Sequence, residues 1–275
     1  MAQNPLQQFF RQPKIYVGLP SKGIYNKPGT IQGDPVRLPV YGMTGMDEII
    51  MKTPDALLSG ESTAKVIGSC CPSINDPWDL SLLDVDLLLT AIRIATFGNE
   101  LNVTSACSKC QSENNYDINL NAIIDYFGSC TYENTIALQE LTITTRPLTY
   151  KQSSEFSIKN FETQQRLKQL ADITEVGDRK TAMDNLFVEV ASLRNEVLAL
   201  AIESVNTGST VVTERQFIRE WLDNAEASVI QTIFNHVDAN KERWMTPKQD
   251  VKCDNCGHEQ SIFVDLDQSN FFAKA

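Results

Sequence analysis

The sequence is poor in histidine, in basic charge and in long apolar runs, and each shortage removes a class of function. Its two histidines, His236 and His258, stand in no H-E-x-x-H pattern that would aim imidazoles at a catalytic metal. No G-x-S-x-G supplies a nucleophilic serine, and no G-x-x-x-x-G-K-[ST] supplies a phosphate cradle. A non-enzymatic protein is therefore expected. Lys and Arg number 24 against 35 Asp and Glu, a net charge of −11 over 275 residues, whereas nucleic-acid binding needs a local basic patch. The densest apolar stretch, Leu80 to Phe97, is broken by Asp84, Asp86 and Arg93 and falls short of the roughly 20 apolar residues of a membrane helix. Met1 to Gln12 holds no apolar run of the secretory kind, so reduced cysteines in a cytosolic setting are expected. Hydrophobic residues nonetheless make up 42% of the chain, enough for one large domain or two ordinary ones.

Cysteine is where the sequence is informative. Four of the seven fall into two distant C-x2-C pairs, Cys107-Ser-Lys-Cys110 and Cys253-Asp-Asn-Cys256. This spacing lets one tight turn present two sulfurs to one ion, and two such turns complete a tetrahedral four-thiolate site. The flanks match as well: Glu113 corresponds to Glu259, Ile118 to Val264 and Leu120 to Leu266. Residues 116–121 and 262–267 both have strand character, so each half is expected to be a knuckle followed by a strand, the two halves forming a zinc ribbon. Gly257 suits the positive φ of such a turn, and Gln111 is its weaker counterpart. Four thiolates leave no open position for water or substrate, so Cys107, Cys110, Cys253 and Cys256 are expected to hold a structural Zn2+, zinc being preferred to iron. The alternative is four unrelated buried cysteines. His258 lies outside the spacing and is expected in a solvated turn, and Cys70, Cys71 and Cys130 are expected as core or surface thiols. The knuckles offer little for nucleic acid: Lys109 in one, and Lys248 and Lys252 beside Asp250, Asp254 and Glu259 in the other.

The remaining pattern predicts an α+β fold: a mostly helical body, the ribbon, and a turn-rich N-terminal arm. Residues 1–45 are dense in Pro and Gly and read as an arm with short strands at Ile15 to Val17 and Val36 to Tyr41, lying on a neighbouring subunit or on its own domain. Residues 46–100 read as helical: Met46 to Leu58, interrupted near Pro54, then Thr63 to Cys71, then Ser81 to Phe97 with Ser81 and Asp84 as a capping pair and Gly98 as the stop. Asp84, Asp86 and Arg93 do not converge on one face and are expected at solvated ends or a partner contact. Residues 101–125 form the first ribbon half. Residues 126–245 are a helical excursion with a strand at Leu141 to Thr145. Its helices are Tyr150 to Ile173 and Asp178 to Val205, separated by Gly177 and packed as an antiparallel hairpin. A Thr213/Gln216 capping box opens the next, and Ala225 to Val237 is the last. In the second hairpin helix Met183, Leu186, Phe187, Val190, Leu193, Val197, Leu200 and Ala201 make one apolar stripe. Residues 246–275 hold the second ribbon half and tail. Phe217, Trp221, Phe234, Trp244, Phe271 and Phe272 are candidates for a protein contact.

The order Leu19-Pro-Ser-Lys-Gly-Ile-Tyr25, Met43-Thr-Gly-Met-Asp-Glu48, Ile92-Arg-Ile-Ala-Thr-Phe-Gly98 and Cys107-x2-Cys110 resembles the baseplate hub and hub-assembly proteins of T4-like contractile-tailed bacteriophages, over about the first 125 residues. The resemblance implies a virion or assembly protein of the tail baseplate, working in the host cytoplasm during assembly. Its partners would be other hub, tail tube or tape-measure proteins, with homo-oligomerisation left open. A zinc-ribbon nucleic-acid-binding or regulatory protein is the alternative.

Overall fold

The computed structural model describes residues 4–52, 59–170, 176–264 and 271–272. They gather into two compact units, Met1–Cys130 with Met245–Ala275, and Thr131–Trp244. The expected strand residues 265–267, helix residues 53–58 and helix residues 171–173 lie outside the described residues.

In the first unit, β1 (Ile15–Val17) pairs antiparallel with β2 (Leu38–Val40). The turns between them are tied by Leu19 N–H donating to Pro35 O at 2.8 Å, and Leu19, Leu38 and Val40 are buried. The sheet packs on its own unit, against α3 (Leu82–Phe97). Helices α1 (Gly45–Met51) and α2 (Glu61–Cys70) come before it. Thr44 and Asp47 form a full capping box on α1, which satisfies N–H groups that have no partner inside the helix.

The apolar helix α3 buries Leu83, Val85, Leu87, Leu88, Leu89, Ala91 and Ile92. Ser81 caps its start and Gly98, at φ 95°, its end. Two expectations fail here. Asp84 does not return the capping bond, and neither Asp84 nor Arg93 is solvated. Asp84 is fully buried and accepts from Ser21 N–H (2.9 Å), Ser21 Oγ–H (2.5 Å) and Asn26 Nδ2 (3.2 Å). Burial raises its carboxyl above the usual range, opposed by the Ser21 and Asn26 hydrogen bonds. Arg93 is buried with Nε donating to Phe271 O at 2.8 Å and its guanidinium 4.5 Å from the Phe97 ring centre. The reason is tertiary: the polar partners come from segments far away in sequence.

The second unit contains an antiparallel sheet in the order β5 (Thr135–Leu138), β6 (Leu141–Thr145), β7 (Ile202–Asn206) and β8 (Val211–Val212). Only β6 is legible beforehand. Helices α5 (Tyr150–Gln169) and α6 (Val176–Ala201) are joined by Lys159–Glu196 and Arg166–Glu189 ion pairs. Seven residues forward in one helix match seven back in the other, the register of an antiparallel hairpin. Gly177 lies inside α6 rather than before it, and 202–205 is strand rather than helix. Ile202 and Val205 are buried in the core of this unit with Ile136, Ile143, Ile218, Leu222, Ile230 and Ile233. Pairing with β6 there outweighs the helical spacing. The α6 stripe is divided: Leu186 is buried, whereas Met183, Phe187 and Val190 are exposed.

Helices α7 (Arg215–Asn224) and α8 (Ala227–Arg243) complete the unit. The expected Thr213/Gln216 box is absent: Glu214 is the N-cap residue and makes no side-chain cap. Nor do the expected contact aromatics act as one group. Phe217 is exposed, Trp221 and Phe234 pack on the second-unit core, and Phe271 and Phe272 are buried against each other in the first unit.

Candidate metal centre

Each C-x2-C pair sits at the tip of a β-hairpin. One is β3 (Glu100–Ala106) with β4 (Glu113–Asn119); the other is β9 (Gln249–Lys252) with β10 (Glu259–Ile262). A strand thus precedes as well as follows each knuckle. The first following strand stops at Asn119, whose side chain caps α4 (Leu120–Ser129), where Leu120, Ile123 and Phe127 bury one helical face. The second covers 259–262 and ends at the start of the expected span.

The two tips have the same backbone. Cys107 N–H donates to Ser112 O and Gln111 N–H to Cys107 O, both at 2.9 Å; Cys253 N–H donates to His258 O at 2.8 Å and Gly257 N–H to Cys253 O at 2.9 Å. The residue after each second cysteine takes the left-handed conformation, Gln111 at φ 59° and Gly257 at φ 68°. Gln111 therefore does what Gly257 does without the freedom of glycine.

The four expected ligands converge. Their sulfurs lie within 4.8 Å of one another, with Cys107 Sγ to Cys256 Sγ at 3.8 Å and Cys110 Sγ to Cys253 Sγ at 3.6 Å. Zinc bound tetrahedrally at about 2.3 Å from each sulfur would set sulfurs about 3.8 Å apart, so the donor set and the spacing fit that ion. Cys107 and Cys253 are buried, Cys110 is half-buried and Cys256 is exposed. His258 is half-buried and stands outside the cluster, its contribution being the carbonyl that holds Cys253 N–H.

Polar groups around the sulfurs favour thiolate. Ser112 Oγ lies 3.0 Å from Cys110 Sγ and 3.5 Å from Cys253 Sγ. Asn114 Nδ2 donates to Cys253 Sγ at 3.5 Å and Asn255 Nδ2 to Cys110 Sγ at 3.7 Å. The Ser112 hydroxyl, with backbone N–H groups of the second knuckle, brings the Cys253 thiol down to about 5, and Ser112 also lowers Cys110. At Cys256 the His258 N–H lowers the thiol, but partial desolvation of the sulfur within the cluster and the neighbouring Cys110, Cys253 and Cys107 outweigh it and push it up to about 12. Four thiolates cannot accumulate together without a compensating cation. Ser112, Asn114 and Asn255 were not foreseen, because isolated Ser and Asn beside a knuckle carry no spacing signal. Away from this cluster, burial raises the thiols of Cys70, to about 12, and of Cys71, as expected for core residues.

A profile of the family described as T4 bacteriophage base plate protein matches residues 46–273. The chain belongs to that family. For this base plate protein the match spans both knuckles and the helical region between them, and leaves Leu19 to Tyr25 outside. No curated protein and no solved structure matches. Membership makes it a phage tail structural protein, and among the described residues no helix is long and apolar enough to cross a membrane.

Proposed function

We propose that this base plate protein is a non-enzymatic structural or assembly component of the baseplate hub, binding other hub, tail tube or tape-measure proteins. Its four cysteines form a zinc ribbon that holds one structural Zn2+. The observation that carries the metal reading is the sulfur spacing of 3.6 and 3.8 Å, supported by two tips of identical hydrogen bonding. When bound, the ion supplies cross-linking energy and, with all four positions filled by thiolate, no Lewis acidity. Cys107, Cys110, Cys253 and Cys256 bind it, while Ser112, Asn114 and Asn255 orient their sulfurs. The site ties residues after Lys252 to the hairpin that starts at Glu100, closing a long excursion of the chain.

The hub reading rests on family membership together with the quoted N-terminal motifs, and it places the protein in the baseplate of the virion and in the host cytoplasm during assembly. A phage deleted for the chain is expected to yield no complete baseplates by electron microscopy, with rescue by the native gene and not by a Cys107→Ser/Cys253→Ser form. Normal infectious tails from the deleted phage would refute the hub role. Rescue by the double variant would refute the metal's part in it.

A further inference from the structure

Two strands of the first unit each have one strand partner among the described residues, and both line the same groove. Among the described residues β3 pairs only with β4, and β10 only with β9. Between β3 and β10 lies a groove of about 360 Å³, lined by Val103 to Ala106, Ser108 and Gln260 to Phe263. The lining residues are consecutive on both strands. A sheet face would contribute alternate residues, so the groove runs along the strand edges.

One end of the groove already holds an amide. Gln260 Oε1 accepts from Ser108 N–H at 2.8 Å, and Gln260 Nε2 donates to Ala106 O at 3.3 Å. The carboxamide gives the last residue of β3, Ala106, a donor and the turn residue Ser108 an acceptor, the two groups that a neighbouring strand would present there. Beyond it, toward Val103 and Phe263, no described residue supplies such a partner. Four extended residues run about 13 Å at roughly 3.3 Å each, the length of Val103 to Ala106 in β3, opposite Gln260 to Ile262 of β10 and the Phe263 that follows it. The lining side chains carry no charge, which argues against a nucleic-acid strand or a strongly charged peptide.

We propose that this groove is a β-augmentation site, in which an extended, uncharged peptide segment of a partner protein inserts between β3 and β10. The inserted strand joins the two hairpins into one five-stranded sheet. Main-chain hydrogen bonds supply the affinity, as in other strand-addition sites, and an exposed double edge that would otherwise invite indiscriminate pairing is covered. The site goes beyond the hub assignment and does not depend on it.

The test uses the full chain as purified, its metal content measured beforehand so that loss of the cysteine site is recognised separately. The probe is a capped heptapeptide of alternating threonine and valine, titrated to millimolar concentration while amide exchange is followed by NMR. Saturable binding with at least ten-fold slower exchange in both 103–106 and 260–263 is expected, abolished when alternate peptide amides are N-methylated. Protection in neither strand or in only one, or equal protection by the N-methylated peptide, would overturn the proposal.

Discussion

Replacing Asp86 by Asn separates charge from shape in the second turn of α3. Asp86 is half-buried, and burial pushes its carboxyl up from 3.8 to about 6. The folded chain therefore holds this proton more tightly than the unfolded chain does. The stability linked to it is fully present below about pH 4 and is lost as pH rises through about 6. The distance between the two values corresponds to about 3 kcal/mol, and solvent at the partly open side chain reduces the effect to about 1–3 kcal/mol. Asn keeps the shape and never ionises, so Asp86→Asn should exceed the native chain in stability by that amount at pH 7 and match it near pH 4. The protein has three tryptophans, and only Trp78 belongs to the first unit. Urea titrations in a Trp221→Phe/Trp244→Phe background therefore report on that unit alone. A difference that stays constant between pH 4 and pH 8, or a native chain more stable at pH 7, would refute the reasoning.

Other consequences follow from the knuckles and the second unit. A Cβ at Gly257 meets nothing closer than Lys252 Cε at 3.7 Å, so Gly257→Ala should cost only its backbone strain, about 1–2 kcal/mol in thermal unfolding. Gln111→Gly should change stability in the opposite direction, and a loss would mean that its side chain matters more than its φ. Ser112→Ala removes the hydroxyl shared by two sulfurs and should weaken metal retention about 10–100-fold in chelator competition; unchanged retention would show that the hydroxyl contributes nothing. In the second unit Asn240 accepts from Glu133 N–H at 3.0 Å and donates to Glu133 O at 2.8 Å. Asn240→Ala should cost about 1–3 kcal/mol, read from Trp221 and Trp244 fluorescence.

What the sequence revealed follows how local each signal is. The two C-x2-C pairs are complete local signals, and the match between Glu113 and Glu259 marks the first residue of β4 and of β10. Helices α2, α3, α7 and α8 show through their apolar segments, but end residues mark only α3, at Ser81 and Gly98. Asp84 and Arg93 were misplaced because Ser21, Asn26 and Phe271, which satisfy them, lie far off in sequence. The short strands β5 and β8 carry too few residues to show alternation, and β7 continues the helical stripe of α6 until pairing with β6 decides it. Gln111 shows the same limit at a single residue: the turn imposes a left-handed φ that its residue type does not announce.

Elemental mass spectrometry of the freshly purified, reduced protein tests the central claim most directly, alongside a Cys107→Ser/Cys253→Ser form. One zinc per chain, absent from the double variant, is the predicted result. A metal-free native chain, or a variant that keeps its zinc, would contradict the four-cysteine site.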